Sequence, residues 1–130
     1  MATITITGLD RLYRRLDATR ATGALVPPMQ RAVLRVANRM ANYPAPPPRS
    51  TYRRTGTLGR RWTVKVIRTA NGVQGRVGNN TIYAPLVQSR RFQTRVHRGR
   101  WQTAEDVVEQ LESTITADFQ AAVNRAIEGR

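Results

Sequence analysis

Hydrophobic positions recur along this chain with two different periods, and the changes of period divide it into elements. The chain opens on a period of two. Thr3-Ile4-Thr5-Ile6-Thr7 alternates β-branched residues with one apolar face, which predicts a short strand ended by Gly8. Leu9, Leu12, Tyr13 and Leu16 then recur at helical spacing and predict a short helix at about residues 9–19, with Gly23 closing the connector that follows. Pro27-Pro28 read as a helix start, where their fixed φ suits the first turn and their missing N–H groups cost nothing. Beyond them Met29, Ala32, Val33, Val36, Ala37, Met40 and Ala41 form one apolar stripe, with Arg31, Arg35 and Arg39 on the other side. This predicts an amphipathic helix of about four turns that ends before Pro44, because the residue ahead of a proline avoids the α region. Methionines at that spacing fill a core.

Residues 44–61 follow neither period. Pro46-Pro47-Pro48 predicts stiff polyproline II, Gly56 and Gly59 punctuate the rest, and Arg49, Arg53, Arg54, Arg60 and Arg61 make it strongly basic. Alternation returns with Trp62, Val64 and Val66. Asn71-Gly72 signals a type I′ hairpin, and Val73, Gly75 and Val77 continue the return strand. After Gly78-Asn79-Asn80, the residues Ile82, Ala84 and Leu86 predict a third strand, with Pro85 confining it to an edge or a bulge. With the N-terminal strand this makes a small antiparallel sheet of about four strands. Residues 88–102 form a second basic loop carrying Arg90, Arg91, Arg95, Arg98 and Arg100. Thr103-x-x-Asp106 reads as a capping box that opens the longest periodic segment, from Val107 through Leu111, Ile115, Phe119 and Val123 to Ile127 and Gly129. That segment predicts a helix of about 25 residues, ~37 Å long.

At 130 residues the chain fits one domain, residues 1–130, able to bury a core without a metal or disulfide staple. It has no cysteine, which excludes disulfides, thiolate metal sites and cysteine nucleophiles. No apolar run approaches the ~20 residues of a membrane span, so no membrane partner is expected, and the N-terminus lacks the pattern of an export signal. Charge changes the picture most. The chain has 22 basic and eight acidic residues and a net charge of +14. Residues 18–104 hold sixteen arginines, Lys65 and no acid, whereas residues 105–130 are net −4. A segment of that kind repels itself unless it faces something negative, which points to polyanionic or acidic partners.

Chemistry for catalysis is thin. His97 is the sole histidine, so a two-histidine metal site is impossible and the residue reads as a solvated loop side chain. Glu105, Glu109 and Glu112 share a helix face and read as a solvated charge stripe rather than an acid–base pair. The nucleophile-elbow, dinucleotide and P-loop patterns are absent. No enzyme, metal or cofactor is expected. Arginine-rich loops near Tyr52, Trp62, Phe92 and Trp101 suit phosphate and base contacts, yet the chain carries no zinc-finger or ribonucleoprotein motif, so charge alone predicts weak, salt-sensitive binding.

Two local motifs and the element order resemble the tail-completion, or head–tail joining, proteins of long-tailed bacteriophages, a family of minor tail proteins. The first motif is the passage from an amphipathic helix through prolines to Thr55-Gly56-Thr57-Leu58 and then a strand; Arg54 stands where the family commonly has an aspartate, and Arg61-Trp62 where a serine is common. The second is Val77-Gly78 followed by Tyr83-Ala84-Pro85-Leu86-Val87, with Gln88 and Ser89 in place of the usual glutamate and glycine. Ile6-Thr7-Gly8-Leu9-Asp10-Arg11-Leu12 is similar to the family's start. The departures mostly remove acids.

The resemblance implies an α+β fold, a small antiparallel sheet packed by an amphipathic helix and a long C-terminal helix. The implied role is structural. A homo-oligomeric ring, typically a hexamer, sits in the virion neck between the head-side connector or stopper protein and the tail tube or tail terminator, with DNA passing through the channel and assembly taking place in the host cytoplasm. Under that reading Arg49, Tyr52, Arg53, Arg54, Thr55, Gly56, Leu58, Tyr83, Arg90 and Arg91 are candidate contacts to neighbouring subunits or partners, with Arg95, Arg98 and Arg100 facing DNA. Residues 44–54 read as an arm that docks on a neighbour, extended in advance by its prolines and carrying Tyr52 as an amphipathic anchor. The alternative is a basic, non-specific nucleic-acid-binding module. Arg31, Arg35 and Arg39 repel at i, i+4 and are expected to be relieved by Glu105, Glu109 and Glu112 or by a partner's acids.

Overall fold

A computed structural model describes residues 2–42, 61–69, 72–80, 88, 90, 93, 95 and 101–129, without the side chains of Arg11 and Ala18. It is an α+β fold. The elements run β1 (Ala2–Thr5), α1 (Asp10–Arg15), α2 (Ala18–Met40), β2 (Trp62–Thr69), β3 (Gly72–Asn79), α3 (Ala104–Gln110) and α4 (Glu112–Glu128). The three described strands form one antiparallel sheet in the order β1-β3-β2, so the N-terminal strand does join the hairpin, on its β3 side. The expected third strand at residues 82–86 and nearly all of both basic loops lie outside the described residues.

The first departure from expectation is α2. It begins at Ala18, capped by the Asp17 carboxylate, which accepts from the Arg20 N–H at 2.9 Å, and it runs through Gly23, Pro27 and Pro28 without a break. Each interior proline removes a backbone hydrogen bond, at a cost of ~3 kcal/mol or more in an isolated helix. Tertiary burial outweighs that cost. Ala21, Leu25, Pro28, Met29, Ala32 and Val36 continue a single stripe that is almost wholly removed from water, and burying a large apolar side chain contributes about 1.5–3 kcal/mol. What the sequence presents as a short helix, a connector and a second helix is therefore α1 followed by one 23-residue helix.

The hairpin turn also moves. Thr69 stands opposite Gly72, which places Gly72 in β3 and leaves residues 70 and 71 between the strands, one position earlier than an Asn71-Gly72 turn. Gly72 has φ 151°, and a Cβ there would come within 3.2 Å of Leu9 Cδ1.

The sheet lays one face on α2. Val73, Gly75 and Val77 of β3, with β2 beside them, meet that helix, while Ala2 and Ile4 of β1 are buried on the same face next to α3. Gly75 sets the distance of approach, because a Cβ at this position would sit 2.5 Å from Met29 Sδ and 2.5 Å from Val33 Cγ1. α2 also packs against α3 and α4, which bury Val107, Ile115, Phe119 and Ala122, and α3 touches β1 as well. Thr103 and Asp106 form the expected capping box, each side chain bonding the other's backbone N–H. The C-terminal helix departs from regularity at Leu111 (φ −94°, ψ 2°), which joins α3 to α4; the bonds Leu111 N–H to Val107 and Ile115 N–H to Leu111 carry the turn through. Gly129, with φ 73°, ends it. Among the described residues no helix is long and apolar enough to cross a membrane.

Candidate polyanion-facing surface

The face of the sheet turned away from α2 has a different chemistry from the core face. Alternation along each strand brings Thr3 and Thr5, Thr63, Lys65, Ile67 and Thr69, and Gln74, Arg76 and Gly78 to this side. Thr3, Thr5, Thr63, Lys65, Thr69 and Arg76 are exposed. None of the three strands contains a carboxylate. At the centre Lys65 stands directly opposite Arg76, which also faces Thr3 across the β1 pairing. Like charges directly opposite in an antiparallel pair are destabilising. The Arg76 Nε donates to Gln74 Oε1 at 3.2 Å, which orients the guanidinium without neutralising it.

Six of the eight carboxylates lie from Glu105 onward, and cations of the same chain pair with three of them. Arg31 of α2 pairs with Asp118 of α4, and Arg90 forks across Asp106 at 2.6 Å and Glu109 at 2.9 Å. The Arg90 backbone N–H adds a bond to Glu105 at 3.3 Å. Hydrogen bonding from Arg90 holds the Asp106 and Glu109 carboxyls below their usual range, and Arg31 does the same for Asp118, with weaker help from Arg35 and Arg125. Both paired guanidiniums are correspondingly harder to deprotonate. Among the described residues Arg31 and Arg90 are the only cations in ion pairs. Lys65 and Arg76 keep their charge on the outer face, and Arg68, opposite Val73 near the end of β2, is exposed as well.

Two expectations change accordingly. The acid that relieves the α2 arginines is Asp118, not Glu105, Glu109 or Glu112, and Arg31 and Arg39 flank the C-terminal helices instead of pointing away from the fold; Arg39 donates to Gln110 at 3.4 Å. The outward side of α2 is marked by Leu34, which is 49% exposed. Arg90 makes its described ion pairs within its own chain, to Asp106 and Glu109, with its side chain half exposed. Arg95 is exposed. Arg49, Tyr52, Arg53, Arg54, Thr55, Gly56, Leu58, Tyr83, Arg91, Arg98, Arg100 and His97 lie outside the described residues.

Sequence reasoning also passed over Gln88. It is buried, and its Nε2 donates to the Met40 carbonyl at the end of α2, at 3.4 Å. A carboxylate cannot make that donation, which gives a physical reason for an amide here. The available signal was its place directly after Tyr83-Ala84-Pro85-Leu86-Val87. Among the described residues no three His, Asp or Glu side chains gather as a metal site would require.

Comparison of the chain with protein-family models, with curated proteins and with solved structures finds no match.

Proposed function

We propose that this chain is a virion structural protein that joins the phage head connector to the tail tube, assembled as a ring around the DNA channel. The observation that carries the reading is the acid-free outer face of the sheet, where Lys65 and Arg76 stand opposite one another with no carboxylate beside them. A ring whose subunits turn this face inward presents a wall of cations and threonine hydroxyls to passing DNA. Attraction to phosphate is sequence-independent and electrostatic, which suits a channel through which any sequence must pass. The α+β architecture, with the N-terminal strand joining the hairpin and helices packed on one face, supports the same reading.

Two measurements on the purified chain test it. Light scattering and negative-stain microscopy are expected to find a closed ring, with a mass several times the 14.6 kDa of one chain. Lys65→Glu with Arg76→Glu is expected to leave the ring intact and lower its affinity for duplex DNA. The Lys65–Arg76 pair also favours a second reading, a monomeric non-specific nucleic-acid-binding module. That reading is preferred if the chain stays monomeric and binds duplex DNA with a slope of about 0.9 log units per phosphate contact per tenfold change in salt.

A further inference from the structure

A groove of about 610 Å³ runs between β1 with the turn after it and the helices α3 and α4, and the channel reading leaves it unused. One wall is Thr3 through Gly8, six consecutive residues. Thr3, Ile4 and Thr5 belong to β1, and successive strand residues point to opposite faces, so a groove touching all three borders the edge of the strand. β1 pairs with β3 along its other edge, and no described strand pairs along this one. The facing wall is the apolar flank of α4, with Ile115, Phe119 and Val123. A strand edge beside an apolar helix flank is the geometry in which an extended peptide adds as a further strand, its main chain paired to the edge and alternate side chains in the pocket. Left open, such an edge invites unwanted pairing.

We propose that this groove receives residues 49–60 of a second copy of the chain. The inference rests on the ring reading and names the contact that builds the ring. Its first support is composition. Prolines crowd residues 44–48, but none follows until Pro85, so every residue from 49 to 60 retains the N–H that edge pairing requires. Tyr52 and Leu58 supply apolar side chains for the helix wall.

Charge complementarity is the second support. Glu112 at the groove makes no ion pair with any described residue, whereas Glu109 beside it is already held by Arg90. Arg49, Arg53 and Arg54 offer forked donors for that open carboxylate. The third support is where the segment rejoins the fold. It is followed by Arg61, one residue before β2, and β2 and β1 are the opposite edges of the described sheet, with β3 between them. The segment therefore rejoins the fold at the sheet edge opposite the groove. Contacts between unlike surfaces repeat head to tail and close into rings when the rotation permits.

The test uses the full chain. Thr116 is exposed and lines the groove, so Thr116→Arg and Glu112→Arg are expected to keep the thermal midpoint while the mass by light scattering falls to one chain; Ser113→Arg, on the same turn but outside the groove, is expected to assemble as the wild type does. Because the chain has no cysteine, Thr116→Cys with Tyr52→Cys supplies a unique pair, and a bis-maleimide is expected to link separate copies into a ladder. Linkage confined within single chains overturns the assignment to a second copy. A wild-type ring that yields no linkage, or that survives Thr116→Arg, overturns the groove and leaves the ring reading standing. A wild type that is monomeric throughout overturns both.

Discussion

Arg31 on α2 donates two hydrogen bonds to the single carboxylate of Asp118 on α4, from Nε at 2.8 Å and from an Nη at 2.9 Å. The two residues are 87 positions apart, so this fork pins the C-terminal helix to the central one. Asp118 is the better shielded partner, its side chain 20% exposed against 43% for Arg31.

Asp118→Asn is expected to destabilise the fold by about 1 kcal/mol near neutral pH, at the upper end for a partly exposed pair because the geometry is bidentate. The pair depresses the Asp118 pKa below 3.8 in the folded state. Its contribution is therefore fully present above that ordinary value and is lost as pH falls through the folded one. Denaturant titrations should show a constant gap between wild type and Asp118→Asn from pH 7 to pH 5, closing below about pH 4. A gap that persists unchanged at the lowest pH where both fold would rule out the ion pair as its source.

Gly75→Ala should cost about 1–3 kcal/mol, the range for overpacking a filled core. Its Cβ would overlap Met29 Sδ and Val33 Cγ1, and the backbone of β3 cannot retreat without losing its pairing on both sides. Adding Val33→Ala opens space, so the double variant should lose less stability than the two single losses added together. Simple additivity in thermal melts would refute the contact.

Gln88→Glu tests the buried amide. The change removes the donor to the Met40 carbonyl and sets a carboxylate in a buried position beside a carbonyl oxygen. We expect a loss of about 2–3 kcal/mol at pH 7, since a buried unpaired charge is costly, with partial recovery at low pH as the carboxyl becomes neutral. Gln88→Ala, which leaves no buried charge, should cost less than Gln88→Glu. The opposite ranking would remove the argument.

Deleting residues 45–53 and bridging with a short glycine-serine linker should leave the monomer folded with a nearly unchanged thermal midpoint and abolish ring formation. Circular dichroism and light scattering on one sample check both halves. Unfolding of the variant would show that the segment packs on its own domain. Normal assembly would show that it is only a linker.

Local patterns made much of this fold legible. The Thr3–Thr7 alternation, the Thr103 and Asp106 capping box and the spacing from Val107 to Ile127 each place their element within a residue or two. The α2 prolines mislead because a propensity rule weighs only the helix's own hydrogen bonds, while Ala21 and Leu25, at i−8 and i−4 from Met29, were already extending the buried stripe upstream. The hairpin misleads by one position in the turn. With Asn71-Gly72 as the turn, Lys65 would face Gly78; with residues 70 and 71 between the strands it faces Arg76, and the like-charged pair at the heart of the candidate surface exists only in the second register.

The sequence by itself determined the segregation of charge, the alternation that makes one sheet face polar, and the identity of the long C-terminal helix, because these follow from composition and from period along a single segment. Only the tertiary structure decided which charges remain open. Arg31 and Arg90 lie in the same acid-free block as Lys65 and Arg76, and nothing along the chain separates them. Packing α4 against α2 brings Asp118 under Arg31, and α3 brings Asp106 and Glu109 under Arg90, while Lys65 and Arg76 lie on a sheet whose described strands hold no acid. Coulomb attraction acts through space at a few ångströms, so its partners are fixed by packing and not by distance along the chain.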